Sequence, residues 1–80
     1  MLKNKIDKNG FRQGYWEKYF NGRLDYTDNY IDGKLNGLTV NYHSNGNILN
    51  RGYFLNNVVV GYWEYQYGDK DMHKKEFIIN

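Results

Sequence analysis

The chain contains no cysteine, no proline and no alanine, and it has a single serine, Ser44. Without cysteine, neither a disulfide bond nor a cysteine-ligated zinc ion can hold the fold together, which fits a reducing compartment. At 80 residues the chain is one domain at most, and a domain of that size buries too little surface to be comfortably stable without help. We therefore expect a highly regular fold, a binding partner, or both.

Long hydrophobic runs are also absent, the longest being residues 58–60 and 77–79. A membrane-spanning helix needs roughly 18 apolar residues, and residues 1–6 lack the apolar core and cleavage site of a secretory signal. We expect a cytoplasmic protein, or one acting in the host cytoplasm if it is phage-encoded. The net charge is +2, from 11 basic and 9 acidic side chains. This charge is too small to indicate, by itself, binding to nucleic acid or to anionic lipid.

The residues that are abundant favour strands, because 19% of the chain is aromatic and nine residues are Tyr. Six turn dipeptides follow one another at intervals of 11 to 13 residues: Asn9-Gly10, Asn21-Gly22, Asp32-Gly33, Asn45-Gly46, Asn56-Asn57 and Gly68-Asp69. Such pairs suit tight hairpins because primed turns need positive φ at both central residues. The spacing predicts an all-β fold of about seven short strands in consecutive hairpins, with under about 10% helix.

The sequence also contains a longer repeat, which spans two of these turn intervals. Gly14, Gly37 and Gly61 are 23 and 24 residues apart, and each opens a similar phrase, namely GYWEKYF-NGRL, GLTVNYHSNGNI and GYWEYQYGDKDM. Trp16 and Trp63 occupy the same place in the first and third phrases. The repeat predicts a single domain with units at about 14–36, 37–60 and 61–80 and a half unit at 6–13.

These phrases resemble the MORN repeat, specifically its bacterial variant with the pattern G-x-W-x-x-Y-(x)-x-N-G-x-L followed by x-N/D-G-K-x-x-G. The resemblance covers roughly residues 6–79 and implies one elongated, twisted antiparallel sheet of tandem hairpins. The residues expected to maintain the repeat are Gly14, Trp16, Gly22, Gly33, Gly37, Gly46, Gly61 and Trp63. The bacterial variant is often labelled an antitoxin-like component, which implies a neutraliser of another protein.

Alternation along the strands assigns the aromatic residues to two faces. Trp16 and Trp63 fall on one face, where burial of a large ring favours a structural role. The other face carries a stripe of tyrosines, Tyr15, Tyr19, Tyr42 and Tyr62. Tyrosine is a rigid, amphipathic contact residue, so we predict that this stripe binds a partner, although packing within the sheet is the alternative.

Residues able to support catalysis are few. Ser44 follows His43 in a turn, but adjacency in sequence is not the geometry of a nucleophile and its base. Glu17 and Glu64 occupy the same place in two units, which repetition explains better than an acid and base pair. We expect no catalytic residue and no enzyme activity.

Asp69, Asp71 and His73 could together hold a divalent metal, because alternate residues of a strand share a face. Lys70 and its basic neighbours favour instead a charged edge strand that resists edge-to-edge aggregation. We expect no metal and no cofactor.

The leading interpretation is a non-catalytic protein-interaction module, specifically a small inhibitor or antitoxin-like neutraliser of a partner protein, such as a phage protein directed against a host factor. A chain that is all repeat, begins with Met and has no effector domain is expected to act by occupying a surface. A homodimer or a partner protein would cover a face or an edge. The alternative is an acidic-phospholipid or single-stranded nucleic-acid binder, supported by basic residues among the aromatics: Lys18, Arg23, Arg51, Lys70, Lys74 and Lys75.

Overall fold

The computed structural model describes residues 3–66 and the backbone of residues 73–77. These residues form strands and turns without helix, which confirms the all-β prediction. The strands are β1 (Lys5–Ile6), β2 (Arg12–Phe20), β3 (Arg23–Ile31), β4 (Lys34–Leu35), β5 (Gly37–Tyr42), β6 (Ile48–Leu55), β7 (Val58–Tyr65) and β8 (His73–Phe77).

All eight strands belong to one open antiparallel sheet with the order β1-β2-β3-β5-β6-β7-β8, and the short β4 pairs with β3 beside β5. Consecutive strands are neighbours throughout this path, as tandem hairpins require. The molecule measures 44 × 39 × 17 Å, so its thinnest dimension is that of one sheet with its side chains.

Three of the turns take the primed form that the sequence predicts. In Asn21-Gly22, Asp32-Gly33 and Asn56-Asn57, both residues have positive φ, between 47° and 78°. Asn and Asp tolerate this left-handed region better than other residues with a side chain, and Gly enters it freely.

Two further turns are wider. At Asn9-Gly10 and Asn45-Gly46 only the glycine has positive φ, and the glycine N–H donates to the carbonyl three residues earlier, at 3.0 Å to Asp7 and 2.9 Å to His43. The sixth predicted turn, Gly68-Asp69, lies outside the described residues.

The glycines that open the three repeat phrases share a backbone conformation. Gly14, Gly37 and Gly61 have φ values of 72°, 102° and 70°. Gly14 and Gly61 lie within β2 and β7, and at Gly37 the corresponding strand is divided into β4 and β5. A Cβ at Gly14 or Gly61 would meet no other group within 4 Å. Glycine is therefore favoured at these positions by the positive φ and not by a lack of room for a side chain.

The residue before the opening glycine makes a second repeated feature. The Gln13 side chain accepts a hydrogen bond from the Asp32 backbone N–H at 3.0 Å, and Asn36 accepts one from Asn56 N–H at 3.0 Å. Gln13 also donates to Asp32 Oδ1 at 2.7 Å, and Asn36 donates to Asn56 Oδ1 at 3.3 Å. Each of these amides therefore ties the start of its unit to the turn that ends it.

Among the described residues the sheet has almost no buried core. Val40, at 6% exposure, is the only buried hydrophobic side chain there, and the buried polar residues are Thr27 and Thr39. The accessible surface of 5952 Å² exceeds the roughly 5,100 Å² expected for a compact monomer of this mass. None of the described residues forms a helix long and apolar enough to cross a membrane. A single sheet without a second layer explains both the small core and the large surface.

Candidate binding faces

The two sides of the sheet differ in chemistry, and the strand register decides which residues share a side. One row of directly paired residues crosses five strands, running Glu17, Thr27, Val40, Arg51 and Glu64. We call this side the tyrosine face. It carries Tyr15, Glu17, Tyr19, Leu38, Val40, Tyr42, Arg51, Tyr53, Tyr62 and Glu64.

The opposite side is the tryptophan face. It carries Arg12, Trp16, Lys18, Phe20, Arg23, Tyr26, Asp28, Tyr30, Thr39, Phe54 and Trp63. Between β6 and β7 the register shifts because residues 61–63 of β7 stand opposite Gly52 alone, and Trp63 and Tyr62 still fall on opposite sides. The other two bulges fall in the partner strands, with Asp25 the extra residue of β3 and Leu49 that of β6. Alternation in β2 and β5 is therefore undisturbed, and the two sides match those expected from the sequence.

Two of the four stripe tyrosines contact Glu17. Its carboxylate accepts hydrogen bonds from the Tyr15 hydroxyl at 3.1 Å and the Tyr19 hydroxyl at 3.0 Å. Tyr42 lies close enough to Tyr15 to contribute to the rise in the pKa of Tyr15, which is caused first by burial and next by the hydrogen bond to Glu17. Tyr62 is on β7, four strand spacings or about 19 Å from β2. Tyr15 and Tyr19 are thus joined through Glu17, and Tyr62 lies apart from them.

Glu17 is also paired with a cation. Lys3 Nζ lies 2.6 Å from the Glu17 carboxylate, and the Glu17 side chain is 15% exposed. The hydrogen bond from Lys3, with those from Tyr19 and Tyr15, holds the pKa of Glu17 below its ordinary value of 4.5. The same contact raises the pKa of Lys3. The charge at this end of the tyrosine face is therefore locally balanced.

The other end of the tyrosine face has a corresponding ion pair and a shallow cavity. Arg51 Nε lies 3.1 Å from the Glu64 carboxylate. The cavity of about 200 Å³ is bounded by this pair and by exposed apolar groups, which are 36% exposed in Leu38, 53% in Tyr53 and 55% in Tyr62. Such a depression, with rings at its rim and a neutralised pair beside it, has the size and chemistry to receive a side chain of another protein.

On the tryptophan face, the two indoles pack on neighbours within the sheet. Trp63 makes an edge contact with Phe54 at 5.7 Å between ring centroids, and its ring covers Gly52. Trp16 makes an edge contact with Tyr30 at 6.1 Å and donates from Nε1 to the Gln13 carbonyl at 3.2 Å. Both indoles are half-buried rather than enclosed. Their structural role stays a prediction.

The groups weighed for catalysis and metal binding are not assembled in the described part of the chain. Within residues 3–66 no hydrogen bond joins Ser44 to the His43 side chain, and no three carboxylate or imidazole groups converge. Asp69 and Asp71 lie outside the described residues, as does the side chain of His73.

Sequence reasoning did not single out three contributors to these surfaces. Tyr53 lines the tyrosine-face cavity, and Gly52 provides the surface on which Trp63 lies. The Gln13 side chain accepts a hydrogen bond from the turn at Asp32. The repeat points to Gln13 and Asn36, since each precedes an opening glycine. Tyr53 and Gly52 depend on the register of β6, which the sequence pattern leaves open.

Comparison of the chain with protein-family models, with curated proteins and with solved structures finds no match.

Proposed function

We propose that this chain is a non-catalytic protein-interaction module that binds its partner through the tyrosine face. The observation that carries the proposal is the set of half-exposed rings on that face, because Tyr19, Tyr53 and Tyr62 are 49%, 53% and 55% exposed where the described residues form no second layer over the sheet. Each ring offers on the order of 100 Å² of contact, given the 150–250 Å² of an aromatic side chain. Together they supply the centre of a standard interface, which needs about 800 Å² from each partner.

The charges of this face also favour a protein partner. Lys3 is paired with Glu17, and Arg51 with Glu64, so these four groups contribute little net charge. Phosphate-bearing ligands depend on unpaired cations and weaken steeply as salt rises, whereas an aromatic contact surrounded by balanced ion pairs depends little on salt. Affinity for the partner should therefore change by less than about tenfold over a range of salt that abolishes binding to phosphates.

The sharper form of the proposal is an inhibitor, or an antitoxin-like neutraliser, that acts in the cytoplasm by covering a functional surface of its partner. The small, open sheet supports this form because its ring-bearing face can lie flat against another protein. The resemblance to the bacterial MORN variant points the same way.

The experiment compares two exposed rings on opposite faces. The partner is recovered from the native host with the immobilised chain and identified by mass spectrometry, and its affinity is then measured for the unchanged chain, Tyr62→Ala and Phe20→Ala. Phe20 is the matched control because it is 55% exposed, like Tyr62, and lies on the tryptophan face. Tyr62→Ala should weaken binding by about 5- to 150-fold, which corresponds to a loss of about 1–3 kcal/mol of interface energy. Phe20→Ala should stay within about twofold; an equal or larger loss in Phe20→Ala would refute the proposal.

A further inference from the structure

The β2–β3 hairpin places three cations on the tryptophan face, and two of them rest on aromatic rings. The Arg12 guanidinium lies 4.6 Å from the ring centroid of Trp16 and 5.5 Å from that of Tyr30. Arg23 lies 5.4 Å from the Phe20 ring. A guanidinium held by rings is fixed in position, yet its charge is not neutralised.

Lys18 lies between these two sites. It alternates with Trp16 and Phe20 along β2, so cations and rings follow one another from Arg12 to Phe20. These eight residue steps span about 26 Å of extended chain. We call this row of cations and rings, together with Arg23 beside Phe20, the strip. It is long enough for several units of an extended polymer.

Carboxylates do not neutralise this strip as they do the cations of the tyrosine face. Within residues 3–66 no carboxylate forms an ion pair with Arg12, Lys18 or Arg23. Asp28 is an acid of the tryptophan face, and its carboxylate accepts a hydrogen bond from the Thr39 hydroxyl. Three cations without an ion-paired carboxylate leave the strip with positive charge that a phosphate can use.

A cavity of about 240 Å³ opens on the strip. Trp16, Tyr26 and Tyr30 contribute rings to its lining, and Arg12, Lys18 and Asp28 contribute charged groups. Glu17 also borders it, but its carboxylate is bound to Lys3 on the other face. Rings interleaved with cations meet the two needs of an unpaired nucleic-acid strand, since bases stack on rings and phosphates pair with cations.

We propose that the tryptophan face of the β2–β3 hairpin binds single-stranded nucleic acid. Arg12, Lys18 and Arg23 hold phosphates along the strand, and a base enters the cavity beside Trp16. A duplex is disfavoured because its base faces are already stacked, and acidic peptides or membranes are disfavoured because they need the cations but not the interleaved rings. This activity uses the face opposite to the proposed protein-binding surface and does not depend on it.

The test is fluorescence anisotropy with a labelled oligothymidine of about 12 nucleotides, within the site sizes known for single-strand binders. The intact chain should bind it at low salt, and log K should fall with log salt with a slope of about −2, for three phosphate contacts. Lys18→Gln and Arg23→Gln should each weaken binding and make the slope shallower by about 0.7. Asp28→Asn keeps the acceptor for Thr39 but removes the negative charge, so it should tighten binding.

Stacking has a separate readout in the Trp63→Phe variant, which leaves Trp16 as the only tryptophan. Its fluorescence should be quenched as the oligonucleotide binds. Tyr62→Ala, on the other face, should bind the oligonucleotide as the unchanged chain does, which separates this proposal from the protein-binding one. The proposal is overturned if no binding occurs at low salt, if Lys18→Gln and Arg23→Gln bind unchanged, or if a duplex, polyglutamate or phosphatidylserine vesicles bind more tightly.

Discussion

The indole of Trp63 lies directly over the α-carbon of Gly52 on the neighbouring strand. A Cβ built at Gly52 would stand 2.5 Å from the indole carbons, closer than real side chains approach. Gly52 is itself buried and has no positive φ, so glycine is required there for space and not for conformation. The contact fixes how β6 and β7 meet on the tryptophan face.

Gly52→Ala should destabilise the chain by about 1–3 kcal/mol, as overpacking of a close contact does. Chemical denaturation monitored by circular dichroism measures the change. Trp63→Leu provides the control, because with a smaller side chain at 63 the added methyl group has room. The cost of Gly52→Ala in that background should fall by half or more; an equal cost in both backgrounds would show that the indole is not the obstacle.

Truncation of either tryptophan should impair folding before binding. Trp16→Ala and Trp63→Ala remove half-buried rings that contact Tyr30 and Phe54, and we expect a loss of about 2–4 kcal/mol, at or below the range for fully buried aromatics. Thermal unfolding measures it. Phe20→Ala, which removes an exposed ring from the same face, should cost less than about 1 kcal/mol. Fully stable tryptophan variants would place the structural role elsewhere.

The contact between Gln13 and the turn at Asp32 should stabilise the first unit. Gln13→Ala removes the acceptor for Asp32 N–H and the donor to Asp32 and Asp7, so a loss of about 1–2 kcal/mol is expected. Asn36→Ala should have a smaller effect of the same sign, since its bond to Asn56 Oδ1 is longer. Lys8→Ala, in an exposed turn, serves as the control. If Gln13→Ala were no more costly than Lys8→Ala, the repeated amide would have no structural role.

The lowered pKa of Glu17 predicts an acid-dependent part of the stability. Its carboxylate is stabilised in the folded state by Lys3, Tyr19 and Tyr15, so this contribution is present above the ordinary value of 4.5 and is lost as the pH falls through the folded pKa. The difference in melting temperature between the unchanged chain and Glu17→Gln should therefore shrink on acidification. Asp7, whose pKa is lowered chiefly by its hydrogen bond from Gln13, titrates in both proteins and cancels in the difference. A difference that stays constant with pH would contradict the assigned ion pair.

The sequence predicts the local features of this fold well because their causes are local. Asn21-Gly22 and Asp32-Gly33 specify primed turns through the conformations that their own residues accept, and alternation between Tyr15 and Trp16 separates the two faces. The separation of Tyr15 and Tyr19 from Tyr62 depends on how many strands intervene. That arrangement became visible only with the strand order.

Features that depend on register were not predictable from periodicity. The bulge residues Asp25 and Leu49 occupy the same place in the repeat, four residues after the first residue of an Asn-Gly turn, but neither residue type indicates a bulge. They decide which side chains of β3 and β6 are opposite those of β2 and β5. Tyr53 joins the rim of the tyrosine-face cavity for the same reason, since its place is set by pairing with Leu38 and Val60. Non-local pairing of this kind is encoded in packing and not in the spacing of residue types.

The most direct test of the central claim is photocrosslinking from one position on each face. A benzophenone-bearing amino acid replaces Tyr62 in one variant and Phe20 in another, both side chains being 55% exposed, and each variant is irradiated with the partner protein. If the tyrosine face binds the partner, a covalent adduct forms from position 62 and little or none forms from position 20. An adduct from position 20 with none from position 62 would contradict the account.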